Sequence, residues 1–83
     1  MVGGMNQNTA ERVRTGATVR ALREANGWRL GKFATAIGVS HAYLANIEAG
    51  RRRLPVDLAR QVATTLNVPL AAITTTYDVD EVA

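Results

Sequence analysis

The sequence predicts an all-α fold: a compact domain of five short helices built around a helix-turn-helix, with a short C-terminal extended segment. Three observations carry that prediction. In the stretch 29–48, RLGKFATAIGVSHAYLANIE, Phe33, Ala34 and Ile37 on one side of a corner and Leu44 and Ile47 on the other fall at helical spacing. The corner itself is Gly38-Val39-Ser40, where glycine can take a positive φ and serine can accept a hydrogen bond from the free amides of the next helix. Finally, Asn26-Gly27, Gly50, Pro55, Asn67 and Pro69 cut the rest of the chain into helix-length pieces.

Residues 1–8 show no periodic signal and are expected to be a flexible leader; the domain itself is expected over 9–75, with 76–83 a tail or dimerisation segment. Asn8 or Thr9 can cap helix one, and Asn8 with Glu11 has capping-box spacing. That helix is expected to run to Ala25 with a weak point at Gly16, burying Val19, Leu22 and Val13; equally, Gly16 can mark its true start, with residues 8–15 a separate turn. Asn26-Gly27 stops it, and Trp28 follows as a core or cap residue over its end rather than a ligand-stacking ring. Helix two covers about Leu30 to Ile37. A helix this short is unstable alone, so packing must hold it.

Helix three covers about His41 to Ala49 and turns Leu44 and Ile47 inward, which leaves His41, Ala42, Ala45 and Asn46 largely outward. Gly50 ends it and Arg51-Arg52-Arg53 follows. Leu54-Pro55 opens helix four, where proline is tolerated in the first turn. Its stripe is Leu58, Val62 and Leu66, with Ala59 and Ala63 allowing close approach. After Asn67, Pro69 begins a short fifth helix, Leu70 to about Thr74. The segment 74–79 then reads either as a strand that pairs with a second subunit or as a frayed tail.

Composition narrows the function classes. The chain has 83 residues, no cysteine and one histidine, which excludes disulfides and argues against a protein-only metal site or any cofactor held by thiolates. No run approaches the roughly 18 apolar residues of a membrane-spanning helix, and no secretion signal is recognisable, so a cytoplasmic protein with no membrane partner is expected. The net charge of +3 is unevenly placed: the residues through Pro55 carry +6 and those from Val56 onward −3. A basic body with an acidic end fits a nucleic-acid face that stops before the tail. No nucleophile, base and orienting group come together, so neither an enzyme nor a small-molecule substrate is expected.

A helix that enters the major groove of double-stranded DNA needs a scaffold helix, fitting outward residues and phosphate-gripping donors on both sides. Asn46 can pair bidentately with adenine, His41 can donate to a base acceptor or a phosphate, and Ala42 and Ala45 offer methyl contacts to thymine. Arg29 and Lys32 lie at the start of helix two, and Arg51, Arg52 and Arg53 just after helix three, placed for backbone on either side of the groove. Tyr43 either donates to a phosphate or packs against helix four. Arg23 and Glu48, each near the inner side of its helix, can form a charge-assisted pair that ties helix one to the end of helix three.

Taken together, LREANGW at 22–28, FATAIGVS at 33–40, YLANIEAGRR at 43–52 and LARQVATTLNVPLAAI at 58–73 resemble the phage Cro and repressor family of helix-turn-helix domains, also called XRE-like. That resemblance implies a lambda-repressor-like fold and a DNA-binding transcriptional regulator. It implies that Ser40, His41, Ala42 and Asn46 enter the major groove, that Arg51 to Arg53 contact phosphate, and that Arg23 and Glu48 are the family's buried ion pair. Members commonly carry serine or threonine at 29 and glutamine at 30; Arg29 and Leu30 stand here, which leaves the cap of helix two open and offers a charged phosphate contact instead. Ala49 occupies a position often held by a phosphate-binding asparagine or arginine. The expected protein is a small homodimeric Cro-type or prophage repressor on a pseudo-palindromic operator. The alternatives are an antitoxin-type autoregulator, the DNA-binding domain of a larger repressor and, further off, a protein-interaction module.

Overall fold

The computed structural model describes residues 7–74. The leader up to residue 6 and the predicted tail or dimerisation segment 76–83 lie outside the described residues, as does most of the 74–79 segment. Four α-helices follow in order: α1 (Gln7–Ala25), α2 (Leu30–Ala36), α3 (His41–Glu48) and α4 (Val56–Leu66), then a single 3-10 turn at Leu70–Ala72. Among the described residues there is no strand.

The boundaries around the corner agree with the local signals. Ile37 and Ala49, placed by periodicity at the last positions of helices two and three, are their C-caps. Asn67 ends α4 in the left-handed conformation, which asparagine tolerates at a helix C-terminus. Val68 N–H then reaches back to the Ala63 carbonyl at 2.9 Å.

Three expectations need correction. Gln7 and Asn8, part of the predicted leader, are the first residues of α1, so Asn8 and Thr9 stand inside the helix rather than capping it. No glycine or proline interrupts 7–15, so nothing stops the helix at Asn8 or Thr9, and α1 runs unbroken through Gly16 rather than starting there. Val13, expected inward, is exposed, because the first half of α1 overhangs the turn after α3 instead of covering the core. The predicted fifth helix is only the 3-10 turn, whose Ile73 nevertheless closes the core as a buried residue. Three residues give too few hydrogen bonds to propagate an α-helix.

The core lies where α1, α3 and α4 meet around the short α2. Phe33, Leu44, Ile47, Val19 and Val62 are its fully enclosed large side chains, each contributing roughly 1.5–3 kcal/mol of burial. Ala34, Ala59 and Ala63 are buried with them and let the helix backbones approach. Leu22, expected fully inward, is half-buried beside this core. Thus α2, of seven residues, survives by packing rather than by propensity, and it sets the angle at which α3 leaves the domain.

Candidate nucleic-acid interface

The start of α3 is built locally. Gly38 turns the chain with φ +80, a conformation that glycine adopts without steric cost. Ser40 then takes an extended backbone and its hydroxyl accepts a hydrogen bond from Tyr43 N–H at 3.0 Å, satisfying one of the free amides at the helix start. Because Leu44 and Ile47 point into the core, the opposite side of α3 faces solvent. Ser40, His41 and Ala42 are exposed there and Asn46 is half-exposed. Ala45, read from the sequence as outward, is half-buried and lines a shallow depression with Arg20, Arg23, Leu30, Glu48 and Ala49, at the flank of that face.

The other end of α3 is held from a distance. Arg23 Nε and Nη2 donate to the two carboxylate oxygens of Glu48 at 2.7 and 3.0 Å, and Nη1 donates to the Trp28 carbonyl at 2.8 Å. Both side chains of the pair are nearly enclosed, at 9% and 6% exposure. The hydrogen bond to Glu48 holds the Arg23 guanidinium above its ordinary range, against the opposing effect of burial. Trp28 packs edge-to-face on Phe33, ring centres 5.4 Å apart, and is partly buried against the core, the core role of the two expected for it.

Gly16 completes this end, and its role was not read from the sequence. A side chain there would run into the Ile47 carbonyl and come within 2.8 Å of the Glu48 carbonyl. The predicted weak point is therefore the place where α1 crosses the last turn of α3 most closely. The available signal was a glycine inside an otherwise helical pattern, which marks close packing as readily as a break.

Cations flank the exposed face on two sides. Arg29 is the N-cap residue of α2 and makes no side-chain cap, since a guanidinium has no acceptor to offer the helix amides; its side chain is exposed, as is Lys32 on α2. On the other side the chain turns at Gly50, φ +83, and Arg51, Arg52 and Arg53 are exposed beyond it. Two of them reach back to α3. Arg51 Nη1 donates to Asn46 Oδ1 at 3.2 Å, and the Arg52 guanidinium sits over the Tyr43 ring, 5.3 Å from its centre. Tyr43 is half-buried against the core, so packing and a place beside the cations go together. Arg29 and Lys32 stand apart from this cluster, at the start of α2, where a Cβ on Gly31 would lie 3.6 Å from the His41 ring.

Among the described residues no helix is long and apolar enough to cross a membrane, and no three potential ligands gather for a metal ion. What remains is a capped helix behind a glycine corner, crossed by a supporting helix and flanked by cations: a helix-turn-helix module. The profile of the helix-turn-helix domain family matches residues 14–81, and the chain belongs to that family, in the XRE-like line that its motifs resemble.

Relatives agree. Over 54 residues, 65% of the chain, it is 41% identical to the HTH-type transcriptional regulator SutR of Escherichia coli (strain K12). The match spans only 30% of that protein. The fold is similar to that of the restriction-modification controller protein C.AhdI from Aeromonas hydrophila, with a TM-score of 0.77 at 25% identity over 82% of this chain and 99% of that one. It is also similar to the clp gene regulator ClgR from C. glutamicum, with a TM-score of 0.72 at 32% identity over 76% and 82%.

Proposed function

We propose that this chain is a DNA-binding transcriptional regulator that lays α3 in the major groove of an operator. The observation that carries the reading is the juxtaposition just described: an outward face of Ser40, His41, Ala42 and Asn46, bordered by Arg29 and Lys32 on one side and Arg51 to Arg53 on the other. Asn46 and His41 supply hydrogen bonds to base edges, Ala42 fits against a thymine methyl, and Ala45 stands at the edge of that contact. The arginines and Lys32, with the Tyr43 hydroxyl, meet the sugar-phosphate backbone and fix register without reading sequence. One such helix covers only a few base pairs, so operator-scale selectivity calls for a Cro-type homodimer on a pseudo-palindromic site, acting as a repressor by occupying it.

Binding to duplex DNA at two salt concentrations tests the reading. Affinity should fall steeply with salt. Asn46→Ala should cost about 1–3 kcal/mol of discrimination at one base step, and Arg52→Ala should weaken all sequences alike while lowering the salt slope by about one. Absence of duplex affinity even at low salt would sink the proposal. A second reading, the DNA-binding domain of a larger regulator, is favoured by the match to a 30% portion of SutR; it keeps the same groove contacts and moves dimerisation elsewhere.

A further inference from the structure

The family profile begins at residue 14, yet α1 begins at Gln7. Arg12 and Val13, ahead of the matched segment, lie against the arginine turn, not within the core. Arg12 Nε donates to the Gly50 carbonyl at 3.3 Å, and Arg12 Nη2 donates to Thr9 Oγ1 at 3.3 Å, which steadies the guanidinium. Gly50 itself is buried under this stretch: a side chain on it would come within 2.9 Å of Val13 Cα and Cγ2.

The amides of the same turn all point the other way. Gly50 N–H donates to the Ile47 carbonyl at 3.0 Å, and Arg51 and Arg52 N–H both donate to the Asn46 carbonyl, at 2.9 and 3.3 Å. The turn is thus clamped from two sides, by α3 through its amides and by Arg12 through the one carbonyl between them. We infer that Arg12 is a positioning residue for the phosphate-gripping turn: it fixes the Gly50–Arg51 peptide, and through it the direction in which Arg51 to Arg53 leave the domain. Since Arg51 holds Asn46 Oδ1, the brace also reaches the amide offered to a base edge. This inference rests on the DNA-binding reading for its functional half and on the free protein alone for its structural half.

The test uses the full chain with Arg12→Met, which keeps the apolar stem and a good helix former while removing the donors, and Arg12→Lys, which keeps one donor. In the free protein, hydrogen exchange at the Arg51 and Arg52 amides should speed up by about tenfold in Arg12→Met and recover most of the way in Arg12→Lys. Duplex affinity of Arg12→Met should fall about three- to tenfold for every sequence with an unchanged salt slope, because the same phosphates are still neutralised. Its effect should be less than multiplicative with Arg52→Ala, as expected for residues acting through one element.

A salt slope lower by about one with unchanged amide exchange would overturn the inference, since Arg12 would then itself touch a phosphate. Unchanged exchange together with unchanged affinity would overturn it too. Faster exchange in a chain that has no duplex affinity would leave the brace standing and remove the DNA-binding reading instead.

Discussion

The two ends of α3 are secured by different physics. At its start, one neutral hydrogen bond donated by Tyr43 N–H to the Ser40 hydroxyl and a glycine corner do the work, all within the six residues from Gly38 to Tyr43. At its end, the bidentate Arg23–Glu48 pair spans 25 residues, and Gly16 brings the α1 backbone against the last carbonyls of the helix. The exposed face between them is aimed by its far end and merely started by its near end. On the proposed function, a helix anchored this way can carry small or weakly informative residues such as Ala42 at its front without losing its direction.

Breaking the far end should therefore have the largest effect. Arg23→Ala leaves the Glu48 carboxylate enclosed with no counter-charge and the Trp28 carbonyl without its donor, and should cost about 3–5 kcal/mol in urea unfolding. Gly16→Ala is next. Its added methyl meets two backbone carbonyls of α3, which cannot rotate away, so about 1–3 kcal/mol should be lost with the helix axes pushed apart. The near end is the weakest link to test: Ser40→Ala should cost about 1 kcal/mol, seen as a small drop in the denaturation midpoint with an unchanged slope. If Ser40→Ala proved more damaging than Gly16→Ala, the contrast between the two ends would be reversed.

The same contrast explains what could be read in the sequence. The corner, the Ser40 cap, the limits of α2 and α3 and the inward set Phe33, Ala34, Ile37, Leu44 and Ile47 all rest on short-range signals, and the structure has them in place. The Arg23–Glu48 pair was legible because two opposite charges on inner faces have few other solutions. Gly16 was not, because propensity describes a glycine by its own backbone and says nothing of the helix that crosses it. The start of α1 was misplaced for a related reason: Asn8 and Thr9 favour caps when nothing lies upstream, but helix was free to propagate past them. For the predicted fifth helix, Pro69 marked the entry correctly, yet the segment is too short to sustain more than a 3-10 turn. In the site, Ala45 is the residue whose placement shifted most, because at its position the outward face already gives way to the crossing with α1.

Amide chemical-shift mapping of the full chain during titration with a mixed-sequence DNA duplex at low salt tests the central claim most directly. The largest changes should fall on Ser40 to Asn46 and Arg51 to Arg53, with a second set at Arg29 to Lys32, while α4 stays nearly silent. Changes concentrated on α4 and the 3-10 turn, with α3 unmoved, would contradict the account.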